Sequence, residues 1–209
     1  MTDHIVSLVY VGDPMCSWCW GFAPEIEALA GEWPVEVVVG GLRPGPLAET
    51  LDDRMAAFLR EHWVEIAEQT DQPFDTTFLE RRDGWLYDTK PAAIAVTQMR
   101  EMNPPRTLDY FTDLQMAFYG RGEDITDFEV LTALTDGYDV DIAAFAQVLT
   151  TEEAKQRAWQ DFSRSRNWGI SGFPALVGVL DDGRLALLAR GWARADTIRE
   201  RIESVAVAS

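Results

Sequence analysis

The hydrophobic positions of this chain follow two different periods, and the change from one to the other divides it into three stretches. At the start, Ile5-Val6-Ser7-Leu8-Val9-Tyr10-Val11 is an almost unbroken apolar and β-branched run that closes at Gly12, the pattern of a central strand. A helix is predicted next, from Cys16 to about Ala30, and a second apolar strand, Val35 to Val39, lies between the Trp33-Pro34 break and Gly40-Gly41. Pro24 falls inside the first helix, where it removes a backbone donor and is expected to kink the axis. Strand, crossover helix and strand make a βαβ unit, right-handed by the general rule for such connections.

From Arg43 onward strand-like runs disappear for more than a hundred residues and helical spacing takes over. Leu47 to Gln69 places Met55, Phe58, Leu59, Trp63 and Ile66 at helical intervals. Gln72 to Asp88 reads as an irregular loop whose aromatics, Phe74, Phe78, Trp85 and Tyr87, are packing residues. Lys90 to Met102 is a helix opened by Pro91 and stopped at Asn103-Pro104-Pro105, and Leu108 to Tyr119 is another, ending at Gly120. Thr126-Asp127-Phe128-Glu129 matches a capping box opening a helix to about Thr135, and Thr150-Thr151-Glu152-Glu153 gives the same signal for one to about Arg166.

After Gly169 the strand period returns. Ala175 to Leu180 and Arg184 to Arg190 flank Asp181-Asp182-Gly183, whose Asp-Gly pair is a hairpin signal. A last helix, Arg194 to about Val205, sets Ile198, Ile202 and Val205 on one face. The predicted order is therefore βαβ, a helical block, then ββα. This is an α/β fold with one discontinuous unit over 1–43 and 167–209, interrupted by an inserted α-helical domain over 44–166.

Composition narrows the partners. With 209 residues, 47% hydrophobic, the chain can bury a substantial core. Eighteen basic against 35 acidic residues leave a net charge of −17, a field that repels nucleic acid and anionic membrane, so neither is an expected partner. The N-terminus lacks the basic start of a signal peptide, and no segment approaches the ~18 apolar residues of a membrane span. The expected location is cytoplasmic.

The chemistry concentrates in Asp13-Pro14-Met15-Cys16-Ser17-Trp18-Cys19-Trp20-Gly21-Phe22, which holds both cysteines of the chain. Two thiols separated by two residues, where a strand hands over to a helix, can close into a small disulfide ring and reopen without disturbing the fold. At the helix start the unpaired backbone N–H groups and the positive end of the helix dipole favour a thiolate, which makes Cys16 the expected attacking sulfur. Cys19, one turn on and directed toward the sheet, is the expected resolving thiol. A structural disulfide is disfavoured in reducing cytosol. Zinc needs about four ligands, and the chain adds only His4 and His62, neither at ligand spacing; His62 reads as a surface or partly packed residue, and no metal site is expected.

The βαβ…ββα order with a Cys-x-x-Cys at the first helix resembles the thioredoxin fold, and the inserted block resembles its DsbA-like branch. The segment Asp13 to Pro24, with Asp88-Thr89-Lys90-Pro91-Ala92, Phe118-Tyr119-Gly120-Arg121-Gly122-Glu123-Asp124-Ile125-Thr126 and Gly169-Ile170-Ser171-Gly172-Phe173-Pro174, is similar to the cytoplasmic DsbA/FrnE-like family of predicted protein-disulfide isomerases. The resemblance spans nearly the whole chain. It implies that Pro174 is a cis-proline facing the redox pair and exposing the Phe173 backbone to an extended peptide. Trp18, Trp20 and Phe173 are expected to form an apolar rim for that peptide, and Ser17 and Trp18 to tune the reduction potential. One departure stands out. Thioredoxin and the periplasmic DsbA type carry a buried acid near the end of the first strand, where this chain has Tyr10. Asp13, the nearest carboxylate in sequence, reads either as the proton acceptor for Cys19 or as an exposed turn former.

Three functions are then in play. The first is thiol–disulfide exchange on disulfide-containing proteins or peptides, as oxidoreductase or isomerase, with no cofactor beyond a cellular thiol reductant such as glutathione. The second is a glutathione-dependent transferase or isomerase of the kappa or hydroxychromene-carboxylate isomerase type, whose members generally have serine where Cys16 stands. The third is a chaperone-like module that binds hydrophobic segments without redox turnover.

Overall fold

The computed structural model describes residues 4–81 and 84–207. Strands β1 (Ile5–Gly12) and β2 (Val35–Val39), joined by helix α1 (Ser17–Ala30), form the first unit. The chain then runs through a short strand β3 (Glu49–Thr50), α2 (Asp53–Thr70), α3 (Thr77–Arg81), β4 (Leu86–Tyr87), α4 (Lys90–Met102), α5 (Thr107–Gln115), α6 (Phe128–Ala133), α7 (Ile142–Val148) and α8 (Glu152–Asn167). Strands β5 (Ala175–Leu180) and β6 (Leu185–Arg190) and helix α9 (Ala195–Val207) complete it. The main sheet has the order β2-β1-β5-β6, with β1 parallel to β2 and antiparallel to β5. The two ends of the sequence therefore meet at the middle of the sheet.

β1 is buried on both faces, as its continuous apolar run requires. Leu8 and Tyr10 join the main core, while Val9 and Val11 join a smaller cluster with Val38, Ile170, Ala175 and Val177. α1 continues through Pro24. Proline has no N–H for the Trp20 carbonyl, and that carbonyl is taken instead by Gln72 Nε2 at 3.2 Å, with Trp192 Nε1 bonding the Gly21 carbonyl at 3.1 Å.

The structure departs from the sequence reading inside the helical block. α2 begins at Asp53, capped by the Asp52 side chain on the Met55 N–H, and not at Leu47. The stretch read as loop from Gln72 to Asp88 contains α3 and β4, and β4 pairs with β3, Glu49 opposite Tyr87. α6 is capped by Asp127, one residue beyond Thr126, because the Thr126 hydroxyl bonds the Asp124 carboxylate at 2.6 Å. α7, capped by the Asp141 side chain on the Ala144 N–H, has no counterpart in the sequence pattern above.

The helical block is fastened to the sheet through the open edge of β2. An edge strand leaves N–H and C=O groups unpaired, and here side chains take them: Asp161 of α8 accepts from the Val39 N–H at 3.0 Å, and Arg100 of α4 donates to the Val37 carbonyl at 2.6 Å. The two side chains also pair bidentately, at 2.7 and 3.0 Å. Asp161→Ala would leave the Arg100 guanidinium without its carboxylate and the Val39 amide without its acceptor, and breaking such a buried pair on one side costs about 3–5 kcal/mol. Urea unfolding is expected to show a loss of that order; a loss below about 1 kcal/mol would mean that the edge is held otherwise.

Candidate active site

The site begins at the turn after β1. The Cys16 N–H closes it on the Asp13 carbonyl at 3.0 Å, and Cys16 becomes the N-cap of α1, its own carbonyl accepting from the Cys19 and Trp20 amides at 2.9 and 3.1 Å. No side chain caps this helix, so the sulfur lies beside first-turn amides that have no intrahelical acceptor. Both cysteines are free thiols; Cys16 keeps 7% of its surface exposed and Cys19 none.

Opposite Cys16 stands the loop before β5. The Phe173–Pro174 peptide bond is cis, and the Cys16 Sγ donates to the Phe173 carbonyl at 3.6 Å. The Phe173 ring rests on Gly40 at the end of β2, where any β-carbon would overlap it. Glycine at that position therefore lets the two loops approach.

Asp13 is fully buried, which removes the reading of it as an exposed turn former. Its Oδ1 accepts from the Met15 N–H at 2.9 Å and its Oδ2 from the Leu42 N–H at 2.7 Å. Both oxygens thus serve backbone amides, tying the Cys16 turn to the loop after β2. Burial pushes the Asp13 carboxyl above its ordinary range, opposed by these hydrogen bonds and by Arg43. That second loop is held in turn by the segment Asp88 to Lys90. The Thr89 hydroxyl accepts from the Arg43 N–H at 3.2 Å, and the Asp88 carboxylate from the Gly45 N–H at 2.7 Å. Tyr87 donates its hydroxyl to the Met15 carbonyl and packs with Phe118 and Trp85, while Trp85 Nε1 bonds Asp124 at 3.0 Å. The two middle segments of the family resemblance are therefore scaffold for the cysteine turn.

Trp20 requires a correction. The sequence puts it on the apolar rim, but it is 2% exposed and its Nε1 donates to the Pro73 carbonyl at 2.9 Å. It shares the buried side of α1 with Ala23, three residues on. Ser17 and Trp18 are half-buried at the helix start and Phe173 is half-buried across from them, with Pro174 buried behind. The sequence reading missed how His62 meets this rim. Its Nε2 accepts from Trp18 Nε1 at 3.1 Å, and its ring stacks on the exposed Phe58 at 5.4 Å. The only hint was the i, i+4 spacing of Phe58 and His62 on one helix.

Cys19 faces the sheet. Burial pushes its thiol well up, Cys16 adds to this, and the Asp13 amide and Tyr10 hydroxyl oppose it. Among the described residues, no cluster of three or more His, Cys, Asp or Glu is placed to hold a metal, and no helix is long and apolar enough to cross a membrane.

A sheet of this order, a cysteine pair opening its first helix and a cis-proline loop against the first sulfur define a thioredoxin-like protein with a helical insertion. The profile of the DSBA-like thioredoxin domain matches residues 8–203, and the chain belongs to that family of thiol–disulfide oxidoreductases. Among solved structures it is similar to a Nitrosomonas europaea protein provisionally assigned as a protein disulfide isomerase, with 34% identity, TM-score 0.85, and coverage of 95% of this chain and 96% of that one. It is also similar to the cytosolic disulfide reductase DsbM from Pseudomonas aeruginosa, solved with GSH, with 25% identity, TM-score 0.74 and coverage of 95% and 98%. A comparison with curated proteins finds no match.

Asp13 gives this site a pH signature. Its raised carboxyl means that, above the ordinary aspartate value of about 3.9, the folded chain holds a proton that the unfolded chain has released. That contribution favours the native state at low pH and is lost as pH rises through the folded value. Asp13→Asn cannot titrate and is expected to flatten this part of the stability curve, measured by urea unfolding from pH 3 upward; an unchanged slope would mean that Asp13 is not the group responsible.

Proposed function

We propose that the protein exchanges disulfides in proteins or peptides, with Cys16 as nucleophile and Cys19 as resolving thiol. The observation that carries this reading is the Cys16 sulfur at the mouth of α1, 3.6 Å from the Phe173 carbonyl. In the reductive direction the Cys16 thiolate attacks one sulfur of a substrate disulfide, and the other sulfur leaves as thiolate and takes up a proton. Cys19 then loses its proton and attacks the Cys16 sulfur of the mixed disulfide, closing the Cys16–Cys19 bond and releasing the second substrate thiol. Two molecules of a cellular thiol, glutathione in the first instance, return the pair to the dithiol and leave as their own disulfide, and isomerisation results where the mixed disulfide is attacked by another substrate thiol instead. DsbM, solved with GSH and described as cytosolic, supports both that reductant and a cytoplasmic setting.

The substrate meets the rim of Trp18, Phe58 and Phe173, with the Phe173 backbone offered to an extended peptide beside Pro174, and Ser17 and Trp18 set the exposure of Cys16. We assign the redox chemistry to the unit of 1–43 and 167–209 and the shaping of the substrate face to the insertion of 44–166. A second thiol turned to the sheet favours exchange over the glutathione-transferase type of reaction, which needs one activated group. The burial of Trp20 shrinks the apolar surface on which a redox-independent chaperone role would depend.

Cys16→Ser is expected to reduce dithiol-dependent reduction of insulin to background. Cys19→Ser is expected to accumulate mixed disulfides, visible as mass adducts that a reductant removes. Turnover that survives the Cys16 change, or no trapped adduct with the Cys19 change, would refute these roles.

A further inference from the structure

Tyr10 lies in β1, ahead of the cysteine turn. It is 1% exposed, at the end of β1, with its ring packed against Phe22 at 5.7 Å and Phe111 at 5.4 Å. Its hydroxyl is buried and finds no hydrogen-bond partner among the described residues. A buried hydroxyl without a partner is costly, and each such group in a folded protein calls for an explanation. The local sequence makes room for it: a β-carbon at Gly12 would lie 2.7 Å from the Tyr10 Cζ and hydroxyl oxygen.

The polar groups around that hydroxyl are the cysteines and Asp13. Cys19 and Cys16 both act on its ionisation, which burial already opposes, and Asp13 adds to this. Asp13 is not its partner, because both carboxylate oxygens are committed to backbone amides. Of the two sulfurs, Cys16 is turned to the Phe173 carbonyl, which leaves the Cys19 sulfur, itself fully buried. A thiol is a weak acceptor, whereas a thiolate is a strong one. The tyrosine hydroxyl, free to rotate, therefore gains its partner when Cys19 becomes anionic.

We propose that Tyr10 is a catalytic residue of the exchange reaction, donating its O–H to the Cys19 thiolate from the first strand of the sheet. This rests on the thiol-exchange reading above and names the group that serves its resolving step. Tyr10 does not take the proton, since burial keeps it a phenol. Cys19 gives its proton to solvent, the Tyr10 hydrogen bond holds the resulting anion, and the anion attacks the Cys16 sulfur of the mixed disulfide. The bond from Cys16 to the substrate sulfur breaks and the substrate thiolate is protonated by water, so no oxidant or reductant is consumed in this step. In the reverse sense, a reducing thiol attacks Cys16 in the closed disulfide and Cys19 departs as the same hydrogen-bonded thiolate.

The test uses the reduced full-length protein and the aromatic disulfide 5,5′-dithiobis(2-nitrobenzoate), in stopped flow. Attack by Cys16 releases one thionitrobenzoate, and resolution by Cys19 releases a second. In Tyr10→Phe the first release is expected at the wild-type rate and the second to slow roughly three- to tenfold at neutral pH. That range follows from losing one charge-assisted hydrogen bond, partly offset by the greater intrinsic nucleophilicity of a more basic thiolate. The deficit is expected to narrow as pH rises, because the variant changes the ionisation of Cys19 and not its access. The groups facing Cys19 that bear on this profile are Cys16, Asp13 and Tyr10, and only Tyr10 differs. A second release unchanged in Tyr10→Phe, or both releases slowed equally at every pH, would overturn the inference while leaving thiol exchange intact. A wild type that gives no second release tied to the first would overturn the exchange reading, and this inference with it.

A measurement on the unaltered protein guards against a variant that folds poorly. With tyrosine labelled at Cζ, one of the five resonances is expected to shift between the dithiol and disulfide forms as pH is raised through Cys19 ionisation. Five resonances that ignore the redox state would contradict the hydrogen bond.

Discussion

The approach of the Cys16 sulfur to the Phe173 carbonyl is the contact on which this structure depends. It joins residues 157 positions apart in the chain, and it forms only because β1 lies between β2 and β5 in one sheet. The turn after β1 and the turn before β5 then emerge at the same sheet end, since Val11 pairs with Ala175. One turn supplies a helix N-terminus, whose unpaired amides favour negative charge. The other supplies the Phe173 carbonyl, just ahead of the cis Pro174.

Most of the polar groups around this contact serve geometry. The Asp13 carboxylate spends both oxygens on amides of two loops, and Thr89 and Asp88 fix the second of those loops. The aromatic cluster of Trp85, Tyr87 and Phe118 reaches the cysteine turn through the Tyr87 hydroxyl. The insertion is thereby linked to the site from one side, while its Arg100–Asp161 pair holds the outer edge of β2 from the other. Cys19 and the Tyr10 hydroxyl are buried without such a structural tie, and each is a group the other can satisfy.

Much of this was legible in the order of residues. The apolar run of β1, the Cys-x-x-Cys that follows it, the Asp-Gly turn between β5 and β6 and the long amphipathic helices are local patterns, and local patterns survive in a sequence. The errors arose where a distant partner decided. Trp20 reads as a rim residue beside the cysteines, but the Pro73 carbonyl, 53 positions away, draws its indole inward. His62 reads as a surface histidine, and its bond to Trp18 is made across 44 positions. β3 and β4 are two residues each and exist through their pairing with one another, which no periodicity can announce. The α6 cap moved by one residue because Thr126 was already committed to Asp124. The Phe173–Pro174 bond reads as cis only through the family resemblance, since X-Pro bonds are cis in only about 5–6% of cases, and it is cis in the fold.

The most direct measurement of the central claim is an equilibrium titration of the full-length protein in thiol–disulfide buffers, followed by tryptophan fluorescence and by counting free thiols. Trp18 lies between the two cysteines, so closing the Cys16–Cys19 bond should change its emission. The account predicts one reversible two-electron transition, with two thiols lost and regained together and the same midpoint by both signals. Thiols that stay free across the whole range, or a bond that forms and does not reopen with excess reductant, would contradict it.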